Sequence, residues 1–349
     1  MTRRVQADDR TLAAVRRPGR RCNPLPTTAA ELRDAAGTIL PLQQREPVPP
    51  APALSSAVHV VSTGLVIVSV VIPTYNRRAV VREAVVSVCA QEGVAREIIV
   101  VDDGSSDGSA AALQHEFGTG IRVLRTANHG VAAARNLGVA ASAGELIAFL
   151  DSDDMWLPGK LAAQVAFFAA HPEAQICQTA EVWIRNGVRV NPRAHHRKPS
   201  GDIFEASLLL CLVSPSAVML RRSLFERVGG FDESLAACED YDLWLRILRT
   251  TPVWLIDRPL VIKRGGHADQ LSRRFWGMDR FRVAALLRLL SGGNLTESQQ
   301  AAAQRVLAEK CTILATGAAR RGRSAEAQRY RTLAAVYQQD TVGGAHPTH

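Results

Sequence analysis

The chain has 349 residues, 47% hydrophobic and 21% charged, the balance of an ordinary soluble globular protein with one large domain plus appendages or two modest ones. Its net charge of +9 suits an anionic substrate or an anionic membrane surface; no helix-turn-helix, zinc-finger or aromatic RNA-binding signature accompanies the basic residues, which argues against nucleic acid. Cys22, Cys89, Cys177, Cys211, Cys238 and Cys311 form no Cys-x-x-Cys pair and have no zinc spacing, so they read as reduced, mostly buried thiols of a cytoplasmic protein.

Residues 1–62 read as an unpacked leader. Eight of the 17 prolines fall there, and little in it is periodic. A start placed too far upstream is the other reading. No apolar stretch follows the early arginines, so no signal peptide is expected. The run Ala57–Ile72 is too short to span a bilayer.

From Leu65 the pattern changes. Val66–Ile72 is apolar and β-branched, as a strand buried on both faces should be. Pro73-Thr74-Tyr75-Asn76 stops it, and Val80, Val81, Ala84, Val85 and Val88 recur at helical spacing. Strands are expected at Glu97–Val101, Arg122–Leu124 and Leu146–Leu150, with helices at Ser109–Glu116 and Gly130–Ala141 between them. This alternation predicts βαβ units and a mainly parallel sheet flanked by helices. Further on, Ile176–Trp183 and Val188–Val190 flank the turn Asn186-Gly187, a hairpin signal. Val213–Leu220 is another strand candidate, and Glu239–Arg249 a helix. Everything past Arg273 reads as helical, with a break at Ser291-Gly292-Gly293-Asn294 and an αα-hairpin over Thr296–Gly317 and Ser324–Tyr337. The expected domains are 63–290, catalytic, with halves 63–155 and 156–290, then a helical hairpin over 291–340 and a tail over 341–349.

Three acidic clusters carry the chemistry. Asp151-Ser152-Asp153-Asp154 follows a strand directly, and ligands of parallel sheets bind beyond strand C-termini. Side chains at i and i+2 of an extended segment share a side, so Asp151 and Asp153 converge. Close carboxylates repel unless a proton or cation sits between them, and Mg²⁺ or Mn²⁺ meets that need. The plainer reading is a polar turn, with Asp154 capping the helix that follows. Asp102-Asp103 ends another strand on the same predicted edge, where a carboxylate can accept an N–H of a nucleotide base; a simple Asp/Gly/Ser turn is the alternative. In Glu239-Asp240, adjacent helical side chains diverge by about 100°, so one of the two can act as general base. The alternative is first-turn acids answering the helix dipole. No Gly-x-Gly-x-x-Gly follows the first strand and no Gly-Lys-Ser/Thr loop occurs, which disfavours dinucleotide dehydrogenases and P-loop nucleotidases.

In order along the chain stand Ser-Val-Val-Ile-Pro-Thr-Tyr-Asn (69–76), Val-Asp-Asp-Gly-Ser-Ser-Asp (101–107), Gly-Val-Ala-Ala-Ala-Arg-Asn (130–136), Phe-Leu-Asp-Ser-Asp-Asp (149–154), Val-Gly-Gly-Phe-Asp-Glu (228–233) and Glu-Asp-Tyr-Asp-Leu-Trp (239–244). Together these resemble the inverting family-2 glycosyltransferases with the GT-A fold, over roughly Val66–Ser272. The resemblance implies that Pro73, Thr74 and Tyr75 line the nucleotide pocket, that Asp103 meets the base with Asp102 beside it, and that Arg135 lies near the nucleotide. It implies Asp153 as main metal ligand, Asp151 near ribose or metal, His267 near the diphosphate or metal, Asp240 as general base and Glu239 toward the acceptor. A nucleoside-diphosphate sugar donor, Mn²⁺ or Mg²⁺, and a saccharide or lipid-linked acceptor follow from the same likeness, as does a place in surface polysaccharide or glycoconjugate synthesis. The Gln-x-x-Arg-Trp motif and transmembrane helices of the family's processive synthases are missing. Two other readings stay open: a sugar-phosphate nucleotidyltransferase, and an inactive nucleotide-sugar-binding protein. The segment Arg273–Leu290 mixes arginines with Phe275, Trp276, Phe281 and several leucines. It is expected to pack on the protein, with peripheral membrane contact as the alternative.

Overall fold

The computed structural model describes residues 66–190, 198–266, 275 and 277–339. They lie in the second of the chain's two units, 56–349; the first, 1–55, is outside the described residues. The expected leader, His267, Trp276 and the whole tail 341–349 are likewise outside them.

The first half alternates as the sequence predicts. It runs β1 (Val68–Thr74), α1 (Arg78–Cys89), β2 (Arg96–Asp102), α2 (Ser109–Phe117), β3 (Arg122–Arg125), α3 (Val131–Ala140) and β4 (Leu146–Phe149). Then come β5 (Met155–Trp156), α4 (Lys160–Ala170), the hairpin β6 (Ile176–Arg185) and β7 (Val188–Val190), α5 (Phe204–Leu209), β8 (Val218–Arg221), α6 (Arg222–Arg227), α7 (Glu239–Leu248) and β9 (Trp254–Gly265). Three helices finish the described chain: α8 (Asp279–Ser291), α9 (Glu297–Arg320) and α10 (Ser324–Gln339). The sheet order is β3-β2-β1-β4-β8-β6-β9-β5, with β7 paired to β6. β1, β2, β3 and β4 are parallel; beyond them β8 runs antiparallel to both β4 and β6, and β9 is parallel to β6.

Period-2 alternation along β1 and β4 divides the core between the sheet's faces. Val68, Val70, Ile72, Leu146 and Ala148 join α1 and α4 side chains such as Val85 and Leu161. Val71, Ile147 and Phe149 join α3, α7, α8 and α9 through Val139, Trp244, Leu286 and Leu307. The apolar side of α8 is thus spent inside the protein: Val283, Leu286 and Leu289 are buried. At the hairpin tip Asn186 and Gly187 both have positive φ, 50° and 79°, as the Asn-Gly signal requires.

One glycine sets how closely α3 approaches the sheet. A Cβ on Gly138 would stand 2.4 Å from Val71 Cγ1. Gly138→Ala is therefore expected to cost roughly 1–3 kcal/mol by overpacking, seen as a lower urea midpoint; an unchanged midpoint would show that Val71 yields freely.

Candidate functional site

Because β1, β2 and β4 are parallel, their C-terminal ends share one edge. Thr74 is registered against Asp102, and Asp103 N–H donates to Thr74 O at 2.9 Å. There Pro73 and Thr74 are buried while Tyr75 is exposed. Thr74 Oγ1 is buried with no hydrogen-bond partner among the described residues, which leaves its hydroxyl available to a ligand or water. Asn76, at φ 50°, donates its N–H to Ser105 Oγ at 2.9 Å and accepts from Ser106 N–H at 2.8 Å. These bonds lock the loops after β1 and β2 together.

Asp102 and Asp103 are engaged by the protein itself. Asp102 Oδ1 accepts Ser105 N–H at 2.9 Å, and Oδ2 lies 3.2 Å from Arg125 Nε. The two oxygens of Asp103 accept His129 and Gly130 N–H, each at 2.9 Å. This fixes the entry to α3. Burial raises the Asp103 carboxyl above its ordinary value despite those two donors.

Asp151, Asp153 and Asp154 do converge, but not as alternate residues of an extended strand. The segment is a turn closed by Asp154 N–H on Asp151 O at 3.0 Å. Oxygens of all three carboxylates lie within 4.8 Å of one another. Asp154 is part of this group and caps no helix: β5 intervenes, and α4 begins after Gly159 in the left-handed region, φ 81°. Asp154 is buried; its Oδ2 accepts Ser216 O–H at 2.6 Å and its Oδ1 the N–H of Arg264 at 2.9 Å. Burial, reinforced by Asp153 and Asp151 and opposed by Lys263, pushes its carboxyl up to about 8. Asp153 Oδ2 lies 2.8 Å from Arg77 Nη1, and Asp151 Oδ1 lies 2.7 Å from Arg135 Nη2.

Arg135 is the hub. It is 4% exposed and also pairs with Glu239 through Nη1 at 2.6 Å, so one guanidinium joins the turn after β4 to the start of α7. Phe231 packs under it at 5.1 Å. Burial works against the guanidinium's charge, but Asp151 and Glu239 outweigh it and hold its pKa above the ordinary range.

Of the acidic pair opening α7, Glu239 turns inward to Arg135 and is buried, and burial together with Asp240 raises its carboxyl. Asp240 is half-buried. Its Oδ1 accepts Tyr241 N–H at 2.7 Å, and Cys211 Sγ–H approaches its Oδ2 at 3.6 Å. The preceding residue, Cys238, is left-handed at φ 61°, a conformation that costs a non-glycine roughly 1–2 kcal/mol. That sharp entry opens α7 at Glu239, with Glu239 facing Arg135 and Asp240 half-buried beside it.

Several residues at this edge escape sequence reasoning. β9 runs beside β5, pairing Met155 with Ile262, and brings Lys263 and Arg264 to the carboxylates. Lys263 Nζ donates to Ser214 Oγ at 3.0 Å. Burial works against its charge, yet Glu181 and Asp154, then Asp151 and Asp240, hold it above its ordinary value. Lys198 closes a buried cluster with Glu181 at 3.1 Å; burial opposes the Glu181 charge, but Lys198 and Lys263 bring its carboxyl down to about 2. Arg264 also pairs with Glu83. The one signal for β9's contribution was a Lys-Arg pair closing the apolar run Leu260–Ile262.

The model of glycosyl transferase family 2 matches residues 69–229. An uncharacterised glycosyltransferase of Rickettsia bellii is 31% identical over 219 residues, covering 61% of this chain and 32% of its own length. The chain thus spans about a third of the length of the first curated relatives it matches. The Escherichia coli UDP-Glc:alpha-D-GlcNAc-diphosphoundecaprenol beta-1,3-glucosyltransferase WfgD is 29% identical over 192 residues, covering 55% of this chain and 73% of its own. The mannosyltransferase PcManGT of Pyrobaculum calidifontis, solved with GDP-Man and Mn²⁺, superposes with a TM-score of 0.51 at 19% identity, over 81% of this chain and 89% of that one. Residues 69–229 thus match glycosyl transferase family 2, and the described residues have the mixed α/β GT-A fold.

Proposed function

We propose that the protein transfers a sugar from a nucleoside-diphosphate sugar to an acceptor hydroxyl with inversion at the anomeric carbon. The observation that carries this reading is the meeting of Asp151, Asp153 and Asp154 within 4.8 Å at the sheet edge that also holds the loops after β1 and β2. Asp240 is linked to that edge through Glu239 and Arg135. A hard, all-oxygen donor set of this kind fits Mn²⁺ or Mg²⁺. Asp153 and Asp151 would hold the ion, which when bound supplies positive charge for the departing nucleoside diphosphate. The Pro73–Tyr75 segment and Asp102–Asp103 would frame the nucleoside, with the unpartnered Thr74 hydroxyl free to bond it. Asp240 would take the acceptor's proton as the acceptor oxygen bonds to the anomeric carbon and the carbon–phosphate-oxygen bond breaks. Glu239 would stay paired, with Arg135 fixing it and Asp151 at once.

The PcManGT complex contains GDP-Man and Mn²⁺, and the name of WfgD specifies a UDP-Glc donor and a diphosphoundecaprenol-linked acceptor. These support a nucleotide sugar as donor and a saccharide or lipid-linked acceptor, in surface polysaccharide or glycoconjugate synthesis. Among the described residues no helix is long and apolar enough to cross a membrane.

The test is metal removal. Activity is expected to vanish in excess EDTA and return with Mn²⁺ or Mg²⁺, and Asp153→Ala is expected to be inactive but folded. Full turnover in EDTA would sink the metal reading. Acceptor-dependent release of nucleoside diphosphate separates a transferase from a nucleotidyltransferase or an inactive binder.

A further inference from the structure

Arg77 has no role in the chemistry proposed above, yet it occupies a key position. Its Nη1 lies 2.8 Å from Asp153 Oδ2, and the two side chains are 15% and 16% exposed. Its backbone is fixed: the Arg77 carbonyl accepts N–H bonds from Val80 and Val81 at 3.0 and 2.9 Å, opening α1. It directly follows the Pro-Thr-Tyr-Asn segment. The side chain therefore reaches from the rim of the nucleotide pocket onto the carboxylate expected to hold the metal.

Two other arginines described here have partners of their own. Arg135 sits between Asp151 and Glu239 and cannot leave without stranding a buried carboxylate. Arg264 reaches Asp154 through its backbone N–H and spends its side chain on Glu83 and the Asp153 carbonyl. Among the described residues, Arg77 places its guanidinium on the Asp153 carboxylate itself. A guanidinium and a divalent ion answer the same repulsion among the three carboxylates, and the positive charge of a guanidinium on Asp153 Oδ2 opposes an ion bonded to the same carboxylate. A planar guanidinium also matches phosphate oxygens in bidentate fashion.

We propose that Arg77 is the resident counter-cation of Asp153 in the ligand-free protein, and that it passes to the donor's diphosphate when a divalent ion takes its place. This rests on the metal reading of the previous section. It means that ion and nucleoside diphosphate bind cooperatively, since each supplies what the other displaces, and the coupling must be reciprocal.

The experiment is a Mn²⁺ titration, followed by electron paramagnetic resonance of the free ion, on the full chain, Arg77→Gln and Arg77→Lys, with and without UDP or GDP. Without nucleotide, Arg77→Gln is expected to bind Mn²⁺ about tenfold or more tightly than the native protein, because a unit charge beside the ligand oxygen is gone. Arg77→Lys, which keeps the charge, should stay near native. The gain in Mn²⁺ affinity on adding the nucleotide should shrink by a similar factor in Arg77→Gln. A misfolded variant would lose binding, not gain it. Equal or weaker Mn²⁺ binding by Arg77→Gln with a native circular-dichroism spectrum, or tighter binding by Arg77→Lys to the same extent as Arg77→Gln, overturns the role given to Arg77 and leaves the metal reading intact. Absence of Mn²⁺ binding to native protein and variant alike, with or without nucleotide, overturns both.

Discussion

Asp240→Asn is expected to bind donor as the native protein does and to lower transfer by roughly a hundredfold or more, the usual scale for losing a general base. The amide is nearly isosteric and can still accept the Tyr241 N–H now held at 2.7 Å. It cannot take a proton from an acceptor hydroxyl. Glu239, one residue earlier, is held against Arg135 at 2.6 Å and is buried, so it is poorly placed for that task. The check is turnover at saturating donor beside a calorimetric donor affinity. Normal turnover in Asp240→Asn, with Glu239→Gln inactive, would reverse the assignment.

The second large effect concerns stability. Arg135→Met should cost on the order of 3–5 kcal/mol, because it leaves a buried charge without its partner. The two carboxylates differ in how they would respond. The Asp151 side chain is 26% exposed and can recover water, whereas that of Glu239 is 5% exposed and cannot. Arg135→Met with Glu239→Gln should therefore regain much of the loss, as groups in one network are not additive. Urea unfolding of the two singles and the double measures this. A loss below about 1 kcal/mol for Arg135→Met would mean that the Glu239 carboxyl is protonated and carries no charge to strand.

The parallel half of the sheet was legible because its strands are short β-branched runs closed by turn residues. β1, β2 and β4 lie within two residues of their expected limits. The pairing of Arg135 with both Asp151 and Glu239 was not legible, since residues 135 and 239 meet only through the tertiary fold. Expected strand Val213–Leu220 shortens to β8, Val218–Arg221, because Ser214-Pro215-Ser216 turns to hold Asp154 and Lys263. β9 was missed entirely. Pro259 and the charged pair Asp257-Arg258 argue against a strand, and the fold absorbs them where register shifts at Thr179–Glu181 of β6 locally relax the ladder. With β9 went Lys263 and Arg264. The six-residue helices α5 and α6 were too short to show a period.

The shared core of α7, α8 and α9 bears on how the chain matures during translation. Leu307, Cys311 and Leu314 of α9 pack in the same cluster as Phe149 of β4 and Trp244 of α7. A ribosome adding about 5–20 residues per second exposes β1 to β4 and α1 to α3 well before α9 leaves the tunnel. The first four strands can pair by then, but Phe204, Tyr241 and Leu286 have no complete partner surface until residues near 314 emerge. In that interval a nascent chain shows sticky apolar surface on one face of a half-finished sheet. That is the state a holdase chaperone would recognise, and a stop codon placed before α9 would prolong it indefinitely.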